Sequence, residues 1–358
     1  MSHRRGTNVM DKLPVEVLSH IFSFCYLRDI CRLMSVSKRM EPAARLAIRT
    51  RKAFALYSRD ETPYEILFSE LDIITRVKKH GSKSESSAFN CLNQMAFLRT
   101  LIMQRMHELD ETELNVTDEA VIRNASTLRV LDIPGRVLRF LHVHLMDDKD
   151  AEAYPVLQKV RFDCHDTDLF EYLPSDSMRE LHCHMDPELK CYDWDDFAAA
   201  ISKLIHLKKM SVTGVGVCAS AYEKIFDKLT RLTDVHIQLI GEQSDAAVAM
   251  LVRRNAGLRL LNFDGEELTD ASLMSLSHLT QLVSFVLHAG WNDGPITVNA
   301  VLTVLRGGSR RTLTKFQIDN ADQTDWSSVE AEIRVMEEER GRRLRVTVDD
   351  FSFSISFL

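Results

Sequence analysis

Apolar residues recur through most of this chain in one short phrase, apolar-x-x-apolar-x-apolar. It appears as Leu98/Leu101/Met103, Leu128/Leu131/Ile133, Leu157/Val160/Phe162, Met178/Leu181/Cys183 and Leu207/Met210/Val212. It continues as Leu232/Val235/Ile237, Leu258/Leu261/Phe263, Leu282/Phe285/Leu287 and Leu313/Phe316/Ile318. Successive starts lie between 21 and 31 residues apart. Such alternation predicts short strands whose every second side chain points inward. Between them, 198–204, 221–229, 246–254, 270–276 and 298–305 read as helices. One strand and one helix per unit implies stacked neighbours, with parallel strands on an inner curve and a core running through all of them.

A different pattern occupies 13–40, which reads LPVEVLSHIFSFCYLRDICRLMSVSKRM. Val17, Leu18, Ile21, Phe22 and Phe24 recur at helical spacing, and Pro14 sits where a first helical residue needs no donor. A second apolar set follows at Leu27, Ile30, Leu33, Met34 and Val36. A helical module this small and this apolar cannot bury all of these residues internally, which leaves surface for a second protein. Residues 43–55 read as a basic helix, and 63–80 as another with Ile66, Leu67, Leu71, Ile74 and Val77 along one side. The run from Gly81 to Ser87 reads as a flexible connection. The chain therefore divides into a helical module at 10–55, a helical linker at 56–90 and a repeat array at 91–358.

Leu13-Pro14, Glu16-Val17-Leu18, Ile21-Phe22, Asp29-Ile30, Arg32-Leu33 and Val36-Ser37-Lys38-Arg39 carry a family likeness in order and spacing. The segment resembles the F-box, a three-helix module that docks onto the Skp-type adaptor of cullin–RING ubiquitin ligases. Three positions depart from that family: Cys25 stands for the usual Leu, Leu27 for Pro and Met40 for Trp. Cys and Met remain apolar, so docking would weaken rather than vanish. The resemblance implies adaptor contacts from Leu13, Pro14, Val17, Ile21, Phe22, Ile30, Val36 and Met40. The competing reading is a plain helical cap that buries the same residues internally.

The later phrase resembles leucine-rich repeats, and the whole chain the F-box/leucine-rich-repeat class of SCF-type substrate receptors. The fold class this implies is α/β: a short three-helix F-box, then an irregular leucine-rich-repeat solenoid with parallel strands on its inner face. Leucine-rich repeats usually place Asn or Cys three residues beyond the last strand leucine. Here that slot holds Met106, Arg136, His165, Asp186, Val215, Ile240, Glu266, Gly290 and Ala321. The turn must be satisfied some other way. Gly307-Gly308 marks a helix end. In the tail, Leu344, Val346 and Val348 alternate, then Phe351, Phe353, Ile355 and Phe357, with Asp349-Asp350 as a possible hairpin turn. This tail either caps the last repeat or folds across the inner surface.

The resemblance also locates a substrate surface on the inner face. Candidates are Arg161, His182, His184, Ser211, His236, Asn262 and His288, with Trp291 in the loop 290–295 as an interface anchor or a core plug. The histidines make binding there open to pH control, though solvated imidazoles account for them equally well.

Composition narrows the partners. The sequence has 45% hydrophobic and 27% charged residues, as folded soluble proteins do. It has no run of about 18 apolar residues, so no membrane span is expected, and its opening MSHRRGTNVMDKL lacks the apolar stretch of a secretory signal. Seven cysteines without a Cys-x-x-Cys pair suit reduced thiols in the cytosol or nucleus. The net charge is −7, yet residues 1–58 hold eleven Lys or Arg against four Asp or Glu, leaving −14 on the remainder. A basic module on an acidic body suggests two surfaces with two partners and makes nucleic acid a poor one.

Catalytic patterns are sparse. Thr213-Gly214-Val215-Gly216 lacks the third glycine and the lysine of a phosphate loop. No Gly-x-Ser-x-Gly or His-Glu-x-x-His occurs. Cys164-His165 and His182-Cys183-His184 fall on adjacent predicted strands and offer two imidazoles to zinc, but Cys183 alternates to the opposite face. The expectation is a non-catalytic chain without metal or cofactor. It would hold the adaptor, and through it the cullin–RING assembly, at one end and an unidentified protein substrate at the other. Two alternatives stand beside it: a scaffold that holds the adaptor without directing ubiquitin transfer, and a metal-dependent enzyme built on the histidine cluster.

Overall fold

Every apolar position of the repeated phrase, from Leu98 to Ile318, is buried. The computed structural model describes residues 13–25, 29–30, 33–34, 38, 40–57, 76–78, 92–104, 111–133, 154–164, 167–185, 193–240, 244–265, 268–289, 296–319, 327–340, 344–349 and 352–357. The chain divides into two units, 1–162 and 163–358.

In the first unit, helix Val15–Ser23 packs against helix Met40–Arg49. The strands are β1 (Ala53–Tyr57), β2 (Arg76–Lys78), β3 (Thr100–Gln104), β4 (Val130–Asp132) and the start of β5 (Lys159–Cys164). All pair in parallel, with β1 between β2 and β3 and the register Thr100–Val130–Lys159 continuing outward. Helix Glu111–Asn124 joins β3 to β4. Strand replaces helix at two places where local pattern predicted otherwise. The helix expected over 43–55 ends at Arg49, and the linker expected to be helical over 56–90 is extended at 56–57 and 76–78. Pairing with β3, distant in sequence, satisfies the β1 backbone, and such tertiary contacts override weak local propensity. Residues 58–75 and 79–90 lie outside the described residues.

In the second unit the strands are β6 (Glu180–Met185), β7 (Lys209–Cys218), β8 (Asp234–Ile240), β9 (Leu260–Gly265), β10 (Ser284–Ala289) and β11 (Lys315–Asp319), again parallel. Helices Trp194–Ser202, Ala219–Lys228, Ser244–Arg254, Asp270–Leu276 and Val298–Arg306 alternate with them, close to the spans predicted, and each packs on the next. The rings of Phe263, Phe285 and Phe316 follow one another through the core at 6.3 and 5.4 Å.

At the opposite end of the strands from the slot that lacks Asn, the turn leading into three of them is latched by a side chain from the following unit. Leu98 N–H donates to Asn124 Oδ1 at 2.8 Å, while Asn124 Nδ2 donates to the carbonyls of Met95 (3.1 Å) and Ala120 (2.7 Å). Asn255 repeats this on Leu232 N–H (2.8 Å), Leu229 C=O (2.9 Å) and Leu251 C=O (3.1 Å). Ser309 Oγ accepts from Leu282 N–H and donates to Leu279 C=O. All three side chains are buried, where an unpaired backbone group would be costly.

Thr213–Gly216 lies in a bulge of β7, whose register on β8 jumps from Val212–Ile237 to Val217–Leu239. Gly214 has φ +96°, and a Cβ there would lie 2.1 Å from Met185 O. Gly307 does end its helix, but in extended backbone (φ −71°, ψ −168°) rather than the left-handed form. It is needed because a Cβ would lie 2.6 Å from Ser277 O. The tail forms β12 (Leu344–Asp349) and β13 (Ser352–Phe357), an antiparallel pair, and β13 also pairs antiparallel with β11. It extends the sheet in plane, so the reading in which it folds across the inner surface is set aside.

Candidate functional site

Two surfaces emerge, one in each unit. On helix Val15–Ser23 the apolar residues separate by side. Leu18 and Phe22 are buried, as is Ile30 beyond the helix. Val17 (42% exposed), Ile21 (39%) and Phe24 (70%) remain open, and Pro14 is exposed ahead of them. Positions 14, 17, 21 and 24 follow helical spacing, so these residues form one stripe. Leu13 and Met40 are half-buried. Of the adaptor residues expected from sequence, Pro14, Val17 and Ile21 stand on this stripe, whereas Phe22 and Ile30 are buried in the core. Val36 lies outside the described residues. Phe24, the most exposed of the set, was absent from the expectation; its continuation of the 14–17–21 spacing was the available signal. Its ring meets His20 edge-on at 5.1 Å. The stripe is held from beneath by Arg51, a buried residue whose guanidinium donates to the carbonyls of Cys25 and Ser23. A cation at a helix carboxyl end is favourably placed.

Residues 10–45 match the F-box-like family model. The chain carries an F-box-like domain. F-box domains typically bind Skp-type adaptors, so the domain points to a role in adaptor binding in an SCF-type ubiquitin ligase. The stripe Pro14–Val17–Ile21–Phe24 falls wholly inside the matched F-box-like segment. No curated protein matches the chain.

The second surface is the polar face of β6–β10. His182, Ser211, His236 and Asn262 stand side by side in register and are half-buried. The next position in the row is Val286, which is buried and ends the polar run. His184 is exposed and hydrogen-bonds Thr213 Oγ1 through Nδ1 at 3.2 Å. One step along the strands, the Asp264 carboxylate lies between His236 Nε2 (3.8 Å) and His288 Nε2 (4.0 Å). Asp264 Oδ1 and Asn262 Oδ1 are shielded and accept no hydrogen bond among the described residues. Asp264 thus joins the two histidines as part of this cluster. Arg161 is exposed on β5, and Trp291 lies outside the described residues. Cys183 is buried on the far side of β6 from His182 and His184, so the run His182-Cys183-His184 cannot converge on one ion. Among the described residues, no group of three His, Cys, Asp or Glu is arranged to hold a metal. No described helix is long and apolar enough to cross a membrane.

Proposed function

We propose that this protein is the substrate-recognition subunit of an SCF-type ubiquitin ligase, working in the cytosol or nucleus. The exposed stripe Pro14–Val17–Ile21–Phe24 inside the F-box-like match carries this reading. A single helix face left apolar and open, while its other side is buried on Met40–Arg49, is what a docking helix requires. Through the adaptor the chain would meet a cullin–RING assembly. The strand–helix units, read as leucine-rich repeats, would hold a protein substrate on the polar face around His182, Ser211, His236 and Asn262. Catalysis would come from holding the substrate's lysines near activated ubiquitin, which raises their effective concentration; the chain itself would supply no nucleophile.

The test is adaptor co-purification from the full chain. Val17→Asp with Ile21→Asp should reduce recovery of the Skp-type adaptor by at least about tenfold, since a carboxylate placed in an apolar contact costs more than 1.4 kcal/mol. Circular dichroism should stay unchanged, because both residues are exposed. Full recovery of adaptor from this variant overturns the assignment. Adaptor binding without cullin or ubiquitinated prey supports the second reading, a scaffold that holds the adaptor only.

A further inference from the structure

The second unit's sheet ends in the order β11–β13–β12, with β12 outermost among the described residues. Two registers run across these strands: Lys315–Ser356–Arg345 at one end and Asp319–Ser352–Asp349 at the other. One face of the sheet margin therefore has cationic positions at one end and anionic positions at the other, with serines between them on β13. On the opposite face Phe316–Ile355–Val346 and Ile318–Phe353–Val348 align. Phe316 and Ile318 are buried, and the apolar positions of β13 and β12 fall in the same registers.

An outermost strand offers a row of backbone N–H and C=O groups to a further strand. Charged residues on such a strand usually repel partners. Here their spacing favours one partner, the same strand running the other way. About a twofold axis through Thr347, residue 345 of one copy falls opposite residue 349 of the other, and 346 opposite 348. Arg345 then stands beside Asp349 twice, the Lys315 and Asp319 positions repeat the same sense two strands further in, and Val346 meets Val348 on the apolar side. Opposed charges and β-branched pairs directly across from each other are the pairs that stabilise antiparallel strands, and a twofold contact needs this self-complementarity.

We infer that β12 is a homodimerisation edge, across which two copies join by antiparallel pairing of residues 345–349 into one continuous sheet. A six-residue strand is small beside the roughly 800 Å² per partner of a standard interface, so the dimer is weak and concentration-dependent.

Sedimentation velocity on the full chain from about 1 to 100 µM reads this directly. The native chain should pass from monomer to dimer across that range. Arg345→Asp alone, or Asp349→Arg alone, should weaken association at least about tenfold, because each places like charges opposite one another twice. An equimolar mixture of the two variants should associate again, since every charge then meets its opposite, and so should the chain bearing both substitutions. Recovery in the mixture also shows that each variant has kept its fold. A native chain that stays monomeric throughout overturns the inference, as do single variants that associate like the native chain or a mixture that fails to recover. A native chain that remains monomeric yet takes up a foreign extended peptide at β12 overturns it in favour of another occupant.

Discussion

Asn255 shows how much one polar side chain can hold. Its amide serves an N–H and a carbonyl of the preceding unit's turn and a carbonyl of its own helix, all in the buried interior. Asn255→Ala leaves the Leu232 N–H and Leu229 C=O without partners and should cost about 2–4 kcal/mol, seen as a lower urea midpoint at unchanged slope. Asp118 makes the opposite contribution. It is buried, its Oδ1 accepts no hydrogen bond among the described residues, and burial raises its carboxyl from 3.8 to about 7. The folded state thus holds this proton more tightly than the unfolded chain does. Any stability tied to the group is fully present below about pH 4 and is lost as pH climbs through about 7. Tyr154, whose hydroxyl burial and the nearby Asp118 both push upward, shares the same interior. Asp118→Asn should remove this fall, so that melting temperature changes less between pH 5 and 8 than in the native protein. An identical pH slope in both proteins would mean the carboxyl is not held protonated.

Among elements, β7 shows where local pattern stops being informative. Its apolar alternation marked Met210 and Val212 for the core, and both are buried. The alternation does not extend through Thr213-Gly214-Val215-Gly216, and the register shift there depends on a neighbouring strand. Gly214→Ala should destabilise by at least about 2 kcal/mol, from a left-handed backbone and a Cβ driven into Met185 O. Gly257→Ala, at a position with open space, is the control and should change stability little. Strands β1 and β2 escaped the sequence reading for a related reason, since their partners lie across a sheet rather than along the chain. The helices from Trp194 to Arg306 were legible because capping and amphipathic spacing are local. Thr269 and Thr297 cap their own helices, and each also donates to an aspartate at the start of the preceding helix, Asp245 and Asp270 respectively.

For the whole molecule, the candidate site was only half legible. Spacing revealed that Val17, Leu18, Ile21 and Phe22 share a helix, but which side meets solvent depends on how Met40–Arg49 packs, and that put Phe22 inside and left Phe24 outside. The polar face of β6–β10 was readable as alternation, whereas the closeness of Asp264 to His236 and His288 required the register of three strands. The likeness to the F-box-like family bears on 10–45 and on nothing beyond it.

The amides of Asn124 and Asn255 and the hydroxyl of Ser309 each close a turn that was synthesised more than twenty residues earlier. On the ribosome, a newly made strand therefore waits, its leading amide still hydrated, until its successor's helix emerges. At these three turns closure needs a side chain made one module later, so a chain stopped short of that residue leaves the turn unlatched.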